Sequence, residues 1–328
     1  MTISRAHDVL LLGAAGSSGR LLAREMVGRG LTIQLAGRRL EPLTQLTEEL
    51  AGFETAVDTV VVDVTDSAEL RAAAAEARLV VTAVGPFVRY GAAVLDACLA
   101  VGACYVDIAN EFTAVRDVLG RSAQAEACAI TAVTAAGFGS GGIESLVLGL
   151  VEELKEAAVS VQVATVPANS HASPGVRETI AAMMPIGALT YVDGELVRAP
   201  FGTGATMLSF AGTRRTMLPV PTGDLEVARL ISGAANVTAY SADPTQRVDD
   251  DGFSYAYAEV ITASGRRLVA EARVDDGVGA GAAFAAEVAR RVLVGVPVGA
   301  WTPGQLFGKD LFPTVTDATV TPLSEEPV

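Results

Sequence analysis

The chain has 328 residues, of which half are apolar and 5% aromatic, and a net charge of −14. This length accommodates two domains of ordinary size. The acidic charge argues against nucleic acid and anionic membrane surfaces as partners. No run of 18 unbroken apolar residues occurs, so we predict no membrane span, and no signal peptide is apparent at the N-terminus.

The cysteines and histidines give no sign of a disulfide or metal site. Cys98, Cys104 and Cys128 lack CxxC spacing, and we predict reduced cysteines in a cytoplasmic protein. His7 and His171 are far apart in sequence and no metal-ligand spacing accompanies either of them. We therefore expect no zinc site.

The first predicted strand, over 8–12, ends in a glycine turn that leads directly into a helical pattern. This order is typical of a dinucleotide-binding unit. One glycine would allow the sharp turn, the next the approach of a pyrophosphate, and the third close packing of helix and sheet. The spacing is GxxGxxG rather than GxGxxG, so an ordinary strand–helix turn is the alternative. The predicted cofactor contacts of this segment are Gly13, Ala15, Gly16, Ser17, Ser18 and Gly19.

The first 140 residues alternate between predicted strands and predicted helices. Short connections between such elements predict a parallel, doubly wound sheet. The glycine-rich segment 137–142 is expected to end this pattern before a helix over 143–154. The predicted strands lie near 8–12, 31–36, 59–63, 78–83, 104–108 and 130–134, and the helices near 18–29, 40–51, 67–76, 90–101 and 112–127.

From about residue 158 the pattern changes to longer alternating strands with helices near Pro174 and Asp224, which predicts an antiparallel or mixed sheet. An alanine-rich helix and a turn-rich segment around 299–308 follow, and the last ten residues are expected to be irregular. The predicted domains are a Rossmann domain (1–142), an inserted α+β domain (143–276), a return segment that packs on the first domain (277–318) and a tail (319–328).

The end of the second strand indicates which cofactor is bound. An NAD-selective site usually has an acidic residue here for the ribose 2′-hydroxyl. This chain has Gly37, Arg38 and Arg39 instead, so there is room for a 2′-phosphate and a guanidinium to bind it. We therefore predict NADPH. The alternative is that both arginines are surface charges at the start of the next helix.

The ends of the third and fourth strands supply further predicted cofactor contacts. Asp63 would accept a hydrogen bond from the adenine amino group with Val64 against the ring, or it would cap the following helix. The fourth strand leads into Val84, Gly85 and Pro86, where the glycine would let the chain pass beneath the nicotinamide ribose.

Together these segments resemble the saccharopine dehydrogenase-like reductases, a family that includes trans-acting enoyl reductases. The resemblance implies a Rossmann domain, an inserted α+β domain and a C-terminal helix that returns to the first domain. Dimers occur in this family, so we expect a homodimer. The apolar run 181–186 suggests a substrate less polar than saccharopine. The segments that carry the resemblance are 13–20, 35–38, 62–66, 84–87 with Tyr90 and Gly91, 104–107 with Glu111, 136–138, 173–175 with Thr179, 301–304 and 306–308.

The predicted activity is NADPH-dependent reduction of an activated C=C or C=N bond in a small or carrier-linked metabolite. The reaction needs a proton donor besides the hydride. The candidate donors are Tyr90, Asp107 and His171, although each has an alternative role as an ordinary aromatic, a helix cap or a solvated loop residue. The predicted substrate contacts are Arg89, Ser173 and Arg177. A non-catalytic NADP(H)-binding sensor or partner-binding module is the alternative function.

Overall fold

The computed structural model describes residues 5–168, 174–243 and 252–327. Contacts divide the chain into two compact units. The first comprises Met1–Ala109, Thr113–Gly137 and Gly281–Leu306, and the second comprises Asn110–Phe112, Phe138–Ala280 and Phe307–Val328.

Strands and helices alternate through the first 133 residues. These elements are β1 (His7–Leu12), α1 (Ser17–Gly28), β2 (Ile33–Gly37), α2 (Leu40–Leu50), β3 (Val57–Val61), α3 (Ser67–Ala75), β4 (Ala77–Thr82), α4 (Phe87–Val101), β5 (Cys104–Asp107), α5 (Phe112–Gly120), α6 (Ser122–Ala127) and β6 (Thr131–Val133).

The remaining chain has a long helix, a series of strands with two further helices among them, and a helical C-terminal segment. These elements are α7 (Phe138–Leu154), β7 (Ala158–Val166), α8 (Pro174–Met183), β8 (Ala188–Val192), β9 (Glu195–Ala199), β10 (Thr206–Phe210), β11 (Thr213–Pro219), α9 (Gly223–Ser232), β12 (Asn236–Ala242), β13 (Ser254–Thr262), β14 (Arg266–Val274), α10 (Gly277–Val294), β15 (Gly299–Trp301), α11 (Pro303–Phe307), α12 (Leu311–Thr316) and β16 (Thr319–Pro327). A 3₁₀ turn over Met184–Ile186 follows α8.

The first unit is built on a parallel sheet in the order β15-β6-β5-β4-β1-β2-β3. Four consecutive side chains of β1, residues 9–12, are buried, because helices cover both faces of such a sheet. The strand order reverses between β1 and β4, and ligands of doubly wound sheets bind at the carboxyl ends of strands beside such a point. The predicted Rossmann fold is confirmed.

The seventh strand, β15, lies in a segment that the sequence predicts to be a turn. Gly299 and Trp301 pair with Thr131 and Val133 of β6. The strand has only three residues and begins at a glycine with φ +120°, so no alternating sequence pattern indicates a strand here. Its conformation depends on pairing with β6.

The second unit is built on a mixed sheet in the order β10-β11-β12-β7-β13-β14-β16, with β8 paired to β12 and β9 paired to β8. The pairing of β12 with β7 is parallel, and the other ladders are antiparallel. Ala256, Ala258 and Val260 project from one face of β13 into a core that includes Leu146 of α7 and Leu225 of α9. This period of two is the pattern that the sequence shows.

The helix α7 begins at Phe138, whereas the sequence predicts a glycine break over 137–142 and a helix only from residue 143. The predicted domain boundary after residue 142 therefore falls inside this helix. A Cβ at Gly142 would lie 2.8 Å from Cβ of Ala256, and one at Gly139 would lie 3.2 Å from Cγ2 of Thr165. These two glycines let the helix approach the sheet closely and do not form a turn.

The C-terminal residues form a strand, which corrects the predicted irregular tail. β16 pairs with β14 from Thr319 opposite Arg273 to Pro327 opposite Arg266, with an irregularity between Val269 and Ala270. β16 is the last strand on its side of the sheet. Prolines and charged residues are typical of such an edge strand. In the sequence alone they indicate an irregular segment, so the strand is not predicted.

We predict that Gly142→Ala lowers the free energy of unfolding by about 1–3 kcal/mol, because the added methyl group overlaps Ala256. The matched control is Gly149→Ala in the same helix, where the nearest atom to an added Cβ is 3.8 Å away. Alanine is the better helix former, so the control should gain up to about 1 kcal/mol. Urea unfolding followed by circular dichroism measures both variants, and equal stabilities would contradict the packing argument.

Candidate functional site

The turn after β1 requires glycine at its first position. Gly13 has φ +76°, and a Cβ there would lie 3.0 Å from Cγ2 of Val84 and 3.1 Å from the carbonyl carbon of Ala83. The N–H groups of Gly13 and Ala14 both donate to the carbonyl oxygen of Ala36 at 3.0 and 3.1 Å. The turn is therefore tied to β2 and packed against the segment that follows β4.

The other two glycines of the motif bring α1 onto this turn. A Cβ at Gly19 would lie 2.1 Å from the carbonyl oxygen of Gly13, a distance that no side chain tolerates. A Cβ at Gly16 would lie 3.2 Å from the same oxygen, which accepts the N–H of Gly16 at 3.0 Å. These close approaches match the packing for which the glycine spacing is used in dinucleotide-binding turns.

The N-terminus of α1 has no side-chain cap, in contrast to α3. In α3, Oδ1 of Asp66 accepts the N–H groups of Ala68 and Glu69. In α1 the N-cap residue is Gly16, which offers no side chain. The first-turn N–H groups have no intrahelical acceptor, and the dipole favours an anion there. Ser17, Ser18 and Gly19 supply N–H groups that fit a pyrophosphate.

The end of β2 has the basic character that the sequence predicts. Arg38 and Arg39 are exposed and follow Gly37 directly, with no acidic residue between strand and helix. The charge of Arg38 acts on Asp63 at the end of the next strand. A guanidinium in this position fits a 2′-phosphate.

Asp63 is not the cap of α3, because Asp66 fills that role. Oδ1 of Asp63 accepts the N–H and the hydroxyl of Thr65 at 2.9 and 2.8 Å. These two hydrogen bonds, and to a lesser degree Arg38, hold the pKa of Asp63 below its usual range. The neighbouring Val64 is buried in the core of the first unit.

The segment after β4 brings two predicted site residues together. The chain passes through Val84, Gly85 and Pro86 into α4, with a cis peptide bond between the last two. On the first turn of α4 the guanidinium of Arg89 lies over the ring of Tyr90, 5.2 Å from its centroid. This cation–π contact fixes the orientation of the exposed arginine relative to the half-buried tyrosine.

Asp107, predicted as a proton donor, lies in a buried hydrogen-bond network. Its carboxylate accepts the hydroxyl of Tyr105 at 2.7 Å, the N–H groups of Ala109 and Ala135 at 2.9 Å, and the hydroxyl of Thr134. Burial raises the pKa of Asp107, and these bonds act against that rise. Asp107 therefore joins β5 to the chain after β6, and we do not carry it into the proposed chemistry.

The remaining predicted residues, His171, Ser173 and Arg177, come from a short stretch of sequence around the start of α8. His171 and Ser173 lie outside the described residues. Arg177 is an exposed residue of α8. On the same helix, the hydroxyl of Thr179 donates to Oε1 of the buried Glu111 at 3.3 Å.

Sequence reasoning missed a buried acid, Asp224, in the second unit. The hydroxyl of Ser140 donates to Oδ1 of Asp224 at 2.7 Å, and the hydroxyl of Thr222 donates to Oδ2 at 3.3 Å. Burial raises the pKa of Asp224 to about 6. An aspartate in the first turn of a helix usually indicates only a favourable dipole contact, so the sequence gives no signal for this environment.

Over residues 5–168, 174–243 and 252–327, no group of three or more His, Cys, Asp or Glu side chains could hold a metal ion. Within the same ranges, no helix has both the length and the apolar character that a membrane span requires.

The fold and the glycine turn together define a Rossmann-type dinucleotide-binding protein. Residues 9–133 match the family model described as "Saccharopine dehydrogenase NADP binding domain". Over this domain the match confirms the resemblance to the saccharopine dehydrogenase-like reductases and the NADP-type cofactor predicted from the sequence.

Curated relatives match between about a third and two fifths of the chain. A trans-acting enoyl reductase of Mycobacterium bovis is 36% identical over 115 residues, which are 34% of this chain and 28% of that protein. The trans-acting enoyl reductase of Mycobacterium leprae is 34% identical over 139 residues, 42% of this chain and 33% of that protein. The matched region thus spans about a third of the length of these relatives.

A solved structure resembles nearly the whole chain. The apo form of saccharopine dehydrogenase (L-Glu forming) from Saccharomyces cerevisiae aligns with a TM-score of 0.67 over 97% of this chain and all of that chain. The sequence identity is 12%, so this likeness concerns the fold.

We predict that Asp224→Asn removes a pH dependence of stability. The pKa of Asp224 is about 6 in the folded protein and 3.8 for the ordinary group, so folding favours the protonated carboxyl. This contribution is complete below pH 3.8 and is lost as the pH rises through 6. The difference corresponds to roughly 3 kcal/mol.

The measurement is urea unfolding of both proteins at pH 4, 5, 6 and 7. Relative to wild type, the asparagine variant should become more stable by roughly 2–3 kcal/mol between pH 4 and pH 7. A difference that stays constant over this range would contradict the assignment.

Proposed function

We propose that the protein is an NADPH-dependent oxidoreductase that reduces an activated C=C or C=N bond of a small or carrier-linked metabolite. The observation that supports this proposal is the N-terminus of α1, which has no side-chain cap and lies against the glycine turn after β1. Arg38 lies at the end of the neighbouring strand, β2. The curated relatives are named trans-acting enoyl reductases, which favours the C=C bond.

The first unit binds and orients the cofactor in this proposal. The N–H groups at the start of α1 hold the pyrophosphate, with Gly16 leaving room for its approach. Arg38 and Arg39 bind the 2′-phosphate through charge-assisted hydrogen bonds. Asp63 accepts a hydrogen bond from the adenine amino group. When bound, NADPH supplies the hydride, and the protein supplies position and a proton.

The chain after β4 serves the reacting end of the cofactor. Val84, Gly85 and Pro86 follow β4 directly, at the carboxyl edge of the sheet where the strand order reverses. Tyr90 is the proposed proton donor, and the contact with Arg89 holds its ring in place. Arg89 is the proposed contact to a polar group of the substrate, while Arg177, His171 and Ser173 remain predictions.

We expect Arg38→Gln to raise the dissociation constant for NADPH about tenfold or more and that for NADH less than about twofold, because only NADPH carries the 2′-phosphate. Arg71→Gln, an exposed arginine of α3 in the same unit, is the matched control and should leave both constants unchanged. Isothermal titration calorimetry measures these constants. A wild-type protein that binds NADH more tightly than NADPH would refute the cofactor assignment.

A second candidate function is a sensor or partner-binding module that holds NADP(H) without catalysis. The observation that favours it is the enclosed carboxylate of Asp107, which removes one of the predicted proton donors. A reductase and a sensor share the cofactor site, so turnover is what separates them.

The experiment that separates the two is NADPH oxidation, followed at 340 nm, with a panel of enones and imines. The reductase should oxidise NADPH with at least one compound, and Gly16→Asp should abolish this, because the carboxylate repels the pyrophosphate at the N-terminus of α1. Gly52→Asp is the control, since an added Cβ at Gly52 meets open space. Tight NADPH binding without turnover would favour the sensor.

We further propose a cytoplasmic location and a homodimer. The described cysteines Cys98, Cys104 and Cys128 are free thiols, which suits a reducing compartment. Sedimentation of the purified protein tests the oligomeric state directly, and a mass of one chain at micromolar concentration would refute the dimer.

A further inference from the structure

We propose that a cavity of the second unit binds an aliphatic chain that ends in an anionic group. The assignment of this ligand as the substrate of the enzyme rests on the proposed function. The cavity has a volume of about 420 Å³, within the range of small-molecule sites. It lies where the turn after α8 meets the end of β9, and its lining residues are Met184, Pro185, Gly187, Arg198, Ala199, Pro200 and Phe201.

The backbone fixes the shape of this cavity. Gly187 has φ +80°, and a Cβ there would lie 2.4 Å from the carbonyl oxygen of Ala199. The turn after α8 therefore lies directly against the end of β9, with no side chain between them. Pro185 and Pro200 restrict the backbone on the two sides. The cavity is thus formed by constrained backbone and apolar side chains.

Arg198 is the cationic residue among the described lining residues of the cavity. A guanidinium nitrogen of Arg198 donates to the carbonyl oxygen of Pro185 at 2.5 Å, which holds the head group at the cavity. A guanidinium has five N–H donors, so others are available to a ligand. Among the described residues, none of those that line the cavity is acidic. An anionic end group, whether carboxylate or phosphate, therefore suits it better than a cation or an uncharged group.

The apolar surface continues from the cavity along α8. Val176 and Ile180 are four residues apart and so lie on one side of α8, Met184 begins the 3₁₀ turn that follows, and all three are exposed. α8 has no buried residue, although its spacing is that of a helix with an apolar face. Phe201 extends the exposed apolar surface on the other side of the cavity. A chain that starts at Arg198 would find apolar contacts inside the cavity and beyond it.

The dimensions favour a small amphipathic molecule over a second protein copy. Stable protein interfaces are broad and bury about 800 Å² per partner. Here the described lining residues surround a hollow that is open to solvent, in which Arg198 is the charged side chain, and its volume suits a small molecule.

The test measures the binding of decanoate, decyl phosphate and 1-decanol below their micellar concentrations by isothermal titration calorimetry. The two anions should bind, 1-decanol about tenfold more weakly, and acetate not at all. Arg198→Gln should remove the preference for the anions over 1-decanol. A preference for decyl phosphate over decanoate would identify the end group.

Matched variants locate the site. Met184→Ser and Phe201→Ser should weaken decanoate at least about fivefold. Val192→Ser is the control, because Val192 is 45% exposed against 46% for Met184 but does not line the cavity; its affinity should stay within about twofold of wild type. Thermal unfolding of each variant checks that it folds.

Two results would overturn the proposal: no binding of decanoate or decyl phosphate, or equal effects of Met184→Ser and Val192→Ser. A dimer in sedimentation that Met184→Ser dissociates would assign the surface to a second copy instead. NADPH titration on the same samples separates the two proposals. Decanoate binding without NADPH binding would refute only the reductase, and the reverse would refute only the cavity assignment.

Discussion

The contact between Gly19 and the turn at Gly13 is the constraint on which the proposed cofactor site depends. A Cβ at position 19 would lie 2.1 Å from the carbonyl oxygen of Gly13, so α1 lies as close to the turn as a backbone allows. Because of this approach, the uncapped first turn of α1 stands directly after the carboxyl end of β1. The carbonyl oxygen of Ala36 fixes the same turn to β2, which leads to Arg38. The groups proposed to bind the phosphates are thus all held by this one turn.

The parallel sheet could be predicted from the sequence because its strands are buried on both faces and appear as continuous apolar runs. β15 and β16 could not, since one has three residues and the other carries the prolines and charges of an edge. The early start of α7 was hidden for a different reason. Glycines indicate turns in a single sequence, whereas Gly142 is required by a neighbour, Ala256, that is 114 positions away.

The site residues divide in the same way. The groups proposed to bind the cofactor could be predicted from local spacing, because Gly13, Gly16 and Arg38 each lie in the segment whose pattern indicates them. Asp107 also ends a strand at the expected edge, but Thr134 and Ala135 surround its carboxylate from a distant part of the chain. No sequence pattern indicates that these groups donate hydrogen bonds to Asp107. Polar residues at strand ends are thus ambiguous between chemistry and structure until their partners are known.

The order in which the chain is synthesised has a consequence for assembly of the first unit. Its seventh strand comes from Gly299–Trp301, after the whole second sheet up to β14 has been made. During translation the first six strands therefore emerge before β15, and the open edge of β6 stays unpaired while more than 150 further residues are synthesised. β6 is only three residues long, so it is a poor template for pairing with other chains in that interval. Its shortness protects the nascent protein from aggregation.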